Sequence, residues 1–274
     1  MTTNEAFRAG PVAPQALRDG LVMAGRNLKR ILRIPELAIF AVLQSIMFVL
    51  LFTYVFGGAI PLPDGGSYRE FLMPGIFAQT IAFAAATTAV GITDDINKGI
   101  MDRFRSLPMA RSAVLSGRAL ADLVYQSGIL LVLMGAGFAV GWRVHTSVPE
   151  FAAGVGLMLL FVFAMSWLGI WLGCSVPTVE TAQQITFTTI LPLTFLSNVF
   201  VPTETLPSVL RPIAEWNPVS ALTAATRELW GNPNPYAASG FPAEQPILLS
   251  LIWAAVFVAV FAPLAVARYR SLSR

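Results

Sequence analysis

Hydrophobic positions in this chain gather into long unbroken runs. They follow neither the three-and-four spacing of a half-buried helix nor the alternation of a strand. Six runs stand out, at approximately residues 37–56, 72–93, 119–141, 151–173, 181–201 and 246–267. Each is apolar on every face, the pattern of a helix surrounded by lipid. About 20 such residues cross the hydrocarbon of a bilayer, so the expected fold is all-α and polytopic, with six transmembrane helices. The first run is too long for a signal-peptide core and is expected to stay as the first span.

Three segments outside the runs carry patterns of their own. Over residues 14–34, Leu17, Leu21, Ala24, Leu28, Ile31 and Leu32 recur at helical spacing, with Arg18, Arg26, Lys29, Arg30 and Arg33 on the other face. That is an amphipathic helix lying in the headgroup region, ended where Pro35 opens the first span. It is either an anchor or a lever that touches a cytoplasmic partner. Residues 94–116 form a loop of mixed charge in which Gly99 ends the preceding helix and Pro108 stops a short one over 100–107. Phe104 and Leu107 gain nothing on a plain solvated loop; on a knob docked in a partner's groove they are anchors with arginines at the rim. The third segment, Val201 to Pro246, holds eight of the 19 prolines. Yet Leu206, Val209, Leu210, Ile213 and Trp216 recur at helical spacing, as do Leu222, Ala225 and Leu229. Two short helices joined at Asn217-Pro218 are expected over 203–230, too short to cross and therefore a re-entrant or interfacial hairpin. Such a hairpin is either a loop packed on the bundle or a lid over an exit path.

Composition narrows the class. Of 274 residues, 55% are hydrophobic and 12% charged, where a soluble domain carries about 25% charge. A lone water-soluble globule is excluded, and six spans leave no room for a sizeable soluble catalytic domain. The single cysteine, Cys174, and single histidine, His145, exclude an intrachain disulfide and any cysteine or multi-histidine metal centre. Lys29 and Lys98 are the only lysines, and neither follows the glycine-rich spacing of a phosphate-binding loop. An ATP site of that kind, and an enzymatic activity of the chain's own, are not expected.

Charge sets the orientation. Fourteen of the 18 basic residues lie before the first run, between the second and third, or after the last. By the positive-inside rule these segments are cytoplasmic, both termini included, and an even number of spans agrees. Spans one, two, four and six contain no charged residue, and Asp122 and Glu180 lie within about a turn of the cytoplasmic ends of spans three and five. Ion-coupled carriers keep a carboxylate or histidine near mid-membrane, so that class is disfavoured. Span five is the most polar, with Gln183, Gln184, several threonines and Asn198, and span two places Gln79 and Thr80 beside Phe77 and Phe83. Neighbouring amides in a span need partners, which points to a protein interface or a cavity, although helix packing alone accounts for many such residues. Gly169 and Gly173 form a small-xxx-small pair that favours close packing.

Two stretches resemble a known family. Gly99-Ile100-Met101-Asp102-Arg103-Phe104-Arg105-Ser106-Leu107-Pro108 is similar to the cytoplasmic loop of the daunorubicin/doxorubicin-resistance membrane proteins, a branch of the ABC-2 type permeases. Asn198-Val199-Phe200-Val201-Pro202, Leu206-Pro207, Ile213-Ala214-Glu215-Trp216-Asn217-Pro218 and Arg227 resemble that family's proline-rich end of span five and its external hairpin. The resemblance implies the transmembrane subunit of an exporter in the bacterial cytoplasmic membrane, moving hydrophobic or amphiphilic drug-like or lipid-like compounds outward. It implies two copies of a separate cytoplasmic ABC ATPase that bind ATP and Mg, no cofactor in this chain, and a second permease, as a homodimer. Membrane lipids are partners; nucleic acid is not. By position, Ile100, Asp102, Arg103, Phe104, Arg105, Leu107 and Pro108 would form the coupling helix seated in the ATPase, with residues 14–34 as the connecting helix beside it. Residues 175–180 would make a minor second contact. Phe77, Gln79, Thr80, Phe83, Gln183, Gln184, Phe187 and Asn198 would line the pathway at the dimer interface, capped outside by 203–230. The competing expectations are an ion-coupled secondary carrier and a non-transporting membrane assembly protein.

Overall fold

The computed structural model describes residues 35–56, 62, 66–100, 111–235 and 240–272. Residues 14–34 lie outside the described residues, as do Asp102, Arg103, Phe104, Arg105, Leu107 and Pro108 of the expected coupling helix. Helices account for the fold, and there is no strand among the described residues. Helix α1, Pro35–Leu50, runs on into a π-helical turn, Leu51–Phe56. Then follow α2, Tyr68–Asn97; α3, Arg111–Val140; α4, Val148–Gly173; and α5, Val179–Phe195. A 3₁₀ turn, Thr203–Thr205, leads to α6, Arg211–Glu215, and α7, Pro218–Trp230. The chain closes with α8, Phe241–Glu244, and α9, Pro246–Ser271.

Among the described residues, four helices (α2, α3, α4 and α9) are long and apolar enough to cross a membrane. Helix α1 and its π-helical turn together contribute a shorter apolar stretch, Val42–Val55. The fifth expected span differs more. Helix α5 stops at Phe195 instead of 201, and its 17 residues make about 26 Å at about 1.5 Å per residue, less than the roughly 30 Å of hydrocarbon. The physical reason lies in Pro192, one turn from the end, and in the Asn217 side chain, whose amide donates to the carbonyls of Leu193 and Leu196 at 2.7 Å each. With those carbonyls satisfied from outside, the helix has no need of a further turn.

Helices α2 and α4 form the centre. They approach closely because small residues face each other: a Cβ on Gly169 would lie 2.5 Å from the Ala85 carbonyl, and one on Gly173 2.6 Å from the Ala89 carbonyl. Thr93 bridges the contact by donating to the Gly173 carbonyl at 3.1 Å. Helix α9 lies along α4, α3 rests on α4 and α2, and α5 on α2, with α1 outermost against α2 and α3. Helix α7 inserts between α2, α4 and α9, its residues 218–227 all buried. One end of the bundle is therefore closed by aromatic packing. Trp142 and Trp230 meet edge-to-face at 5.2 Å, and Phe77 packs on both. The other end holds a second apolar cluster, in which Ile92, Val114, Leu115, Trp167, Ile170, Cys174 and Tyr269 are buried.

Candidate functional site

Helix α2 is buried on every side but one. Its accessible stripe runs through Thr80, Phe83, Thr87, Val90 and Asp94, at helical spacing. Beside that stripe stands α5, which buries Ala182, Thr186, Ile190 and Thr194 and leaves Gln183, Gln184, Phe187, Thr188, Leu191 and Phe195 exposed. Phe83 and Phe187 join the two elements, with ring centres 5.8 Å apart. The two rings meet where the open stripe of α2 adjoins α5, with Thr80 and Thr87 about a turn away on α2 and Gln183 and Gln184 about a turn away on α5. Such a face suits an amphiphilic solute or a polar helix partner better than lipid tails, to which two glutamines offer nothing.

At the tryptophan end, the far side of α5 is stitched to α7. Asn217 caps α7 by accepting from the Val219 amide at 2.8 Å while it binds the two α5 carbonyls. The Ser220 hydroxyl accepts from the Asn198 amide at 3.0 Å. Arg227, 1% exposed, donates through Nη2 to the carbonyls of Asn198 and Val199 at 3.0 and 3.3 Å, and through Nε to the Phe71 carbonyl at 2.8 Å. Tyr68 adds a hydrogen bond to the Phe200 carbonyl at 3.0 Å. The irregular segment after α5 crosses α2 at Gly75, where a Cβ would fall 2.8 Å from the Val199 carbonyl. An arginine fork with fixed donor directions suits several carbonyls better than a lysine would.

At the opposite end, α2 and α3 share a buried ionic cluster. Arg118 donates through Nε to both carboxylate oxygens of Asp122 at 3.1 Å. Its Nη1 lies 3.7 Å from Asp95, and Thr88 donates to Asp122 at 2.7 Å. Helix α3 begins at Arg111, so Asp122 is three turns in and 4% exposed.

The sequence profile of the ABC-2 type transporter family matches residues 20–229 of the chain. The chain belongs to that family. It is 31% identical over 261 residues to the daunorubicin resistance ABC transporter permease protein DrrB1 of Streptomyces coeruleorubidus, covering 95% of this chain and 89% of the relative. Over 260 residues it is 26% identical to the probable doxorubicin resistance ABC transporter permease protein DrrC of Mycobacterium tuberculosis, covering 92% and 88%. This is a membrane protein of the ABC-2 permease type, with drug-resistance transporter permeases among its relatives.

Of the residues that family likeness assigns to a pathway, Thr80, Phe83, Gln183, Gln184 and Phe187 are at least partly exposed on α2 and α5, and Phe83 and Phe187 are in contact. The other three stand elsewhere. Phe77 is fully buried among the tryptophans, Gln79 is buried within the bundle, and Asn198 lies under Arg227 in the stitched segment. A run of apolar and polar letters does not say which side of α2 is packed, nor that Trp142, Trp230 and Arg227 come to Phe77 and Asn198 from elsewhere in the chain. Ile100 packs against the second apolar cluster. It follows Gly99, whose φ of +66° turns the chain out of α2. The ionic cluster was overlooked in the sequence, although Arg118 and Asp122 at i, i+4 and Thr88 and Asp95 seven apart are spacings that place each pair on one helix face.

Proposed function

We propose that this chain is the membrane subunit of an ATP-driven exporter, working as a pair and powered by a separate cytoplasmic ATPase. The observation that carries the reading is the shared face of α2 and α5, where Phe83 and Phe187 touch between Gln183, Gln184, Thr80 and Thr87. Facing a second copy across the membrane, this surface makes a channel-like cleft that is aromatic inside with hydrogen-bonding edges. Amphiphilic compounds such as the drugs for which the relatives are named, or lipid-like molecules, fit that chemistry. The six-span count, cytoplasmic termini and location in the bacterial cytoplasmic membrane belong to the same proposal, supported by the positive-inside distribution. In it, α7 is the re-entrant half of an external hairpin, and residues 100–108 form the helix seated on the ATPase.

ATP closure of the ATPase pair then draws the two coupling helices together, and α2 and α5 tilt from inward-open to outward-open. An ion-driven carrier is the weaker reading even with Asp95 and Asp122 buried, because Arg118 engages both carboxylates. The decisive experiment is co-purification. The wild-type chain should retain an ABC ATPase, and Phe104→Ala or charge reversal at Arg103 and Arg105 should release it or abolish nucleotide-dependent transport with the bundle still folded. Wild-type transport by those variants would overturn the assignment.

A further inference from the structure

We infer that Arg118 is a positioning residue. It locks α2 to α3 so that both stems of the segment 101–110 answer as one body when that segment is pushed. The inference rests on the exporter reading above, and it assigns the coupling to side chains within the bundle.

The cluster is built for a guanidinium. Helix α2 supplies Thr88, Gly91 and Asp95, spaced at i, i+3 and i+7 along one line; α3 supplies Arg118 and Asp122 at i and i+4. Gly91 is the notch: a Cβ there would lie 2.3 Å from Arg118 Nη2. The guanidinium thus passes through a gap that any larger side chain would fill. Beyond it sits Asp95, and behind it Asp122, held in turn by the Thr88 hydroxyl.

Stability alone does not call for such a cluster. Desolvating an arginine and two carboxylates is expensive, and apolar side chains of similar size commonly hold a helix pair at least as well. What the cluster supplies is register: Arg118 orients Asp122 within α3 at 3.1 Å, and the bonds that cross to α2, Thr88 to Asp122 at 2.7 Å and Arg118 to Asp95 at 3.7 Å, favour one relative position of the two helices. Register matters most where this clasp sits. Asp95 lies two residues before the end of α2 and Arg118 seven after the start of α3, at the root of the connection between them. Just beside it, Ile96 and Ile100 from the α2 side and Val114, Leu115 and Ala119 from α3 share one apolar cluster with Trp167 and Tyr269. Because α2 also carries Thr80, Phe83 and Thr87, fixing α3 to α2 joins movement at the connection directly to the α2–α5 face.

The test uses the full chain with its ATPase, in a Cys174→Ala background, with spin labels at engineered cysteines. One pair, Lys98→Cys with Val124→Cys, reports α2 against α3; a second, Lys98→Cys with Val260→Cys, reports α2 against α9. In the wild-type background, trapping nucleotide should shift the second separation and leave the first unchanged. Gly91→Ala displaces the guanidinium without removing a charge. The triple variant Arg118→Met, Asp95→Asn, Asp122→Asn keeps the volume and removes every charge. Both should lose the fixed α2–α3 separation, which broadens or shifts on trapping, while the ATPase stays bound and hydrolyses ATP. An α2–α3 separation as invariant in the triple variant as in wild type would overturn the clasp. So would a wild-type α2–α3 separation that changes on trapping. A wild-type chain that binds no ATPase and shows no nucleotide-dependent shift at the α2–α9 pair would overturn the exporter reading and, with it, this inference.

Discussion

Arg227 meets Phe71 twice: its Nε donates to the Phe71 carbonyl at 2.8 Å, and its guanidinium carbon lies 3.6 Å from the centre of the Phe71 ring. The same side chain binds Asn198 and Val199. One residue of α7 thus holds the start of α2 and the irregular end of α5. Arg227→Ala leaves those buried carbonyls without this donor, and should destabilise the fold by about 3 kcal/mol. Arg227→Lys should recover only part of the loss, since an ammonium lacks the fork. Denaturation of the purified chain in detergent measures both.

Asn217 has two tasks that substitution can separate. Asn217→Ser keeps a good helix cap but cannot reach the carbonyls of Leu193 and Leu196, and should cost about 1–3 kcal/mol. Asn217→Ala gives up the cap as well, adding about 1 kcal/mol. Hydrogen exchange at the end of α5 should rise in both variants, and exchange at the start of α7 only in the alanine.

The glycines of the bundle are not equivalent. Gly169→Ala places a methyl group 2.5 Å from the Ala85 carbonyl, and the strain should cost about 1–3 kcal/mol. Gly128, on α3, has nothing within 4 Å of where its Cβ would stand. Gly128→Ala should therefore be neutral, or stabilising by up to about 1 kcal/mol through helix propensity. Thermal unfolding of the two variants side by side decides the comparison.

If the α2–α5 face meets a second copy, a cysteine there should cross-link the pair. In the Cys174→Ala background, Phe187→Cys is expected to form a disulfide-linked dimer under mild oxidation. Val256→Cys, exposed on α9, should stay monomeric. Denaturing gels without reductant give the answer, and equal cross-linking at both positions would count against the assigned face.

The helices were legible in the sequence because a run apolar on all sides has few ways to hide its backbone. Residues 68–97 and 148–173 are helical for that reason. Gly169 and Gly173 were legible as a packing pair, but their counterpart was not, since a small-residue spacing says nothing about which helix answers it. The end of α5 is hidden in the sequence for a related reason. Val199 and Phe200 are apolar enough to continue a span, and what stops the helix is a hydrogen-bonding side chain some 20 residues away, at Asn217. Arg118 was counted as one more inward-side positive charge. Its partners Asp95 and Thr88 come from the helix before it, so the cluster exists only once α2 and α3 are side by side.

Helix α2 is packed on all sides but its single open stripe, and this has a consequence for which substitutions can reach its function. A change at Ala85, Ala89, Phe77 or Met73 alters the contact with α4 or the tryptophans before it alters anything a transported molecule touches. On the exporter reading proposed above, substitutions at Thr80, Phe83 and Thr87, or on the outer face of α5, should change substrate range more than substitutions on the packed sides of α2.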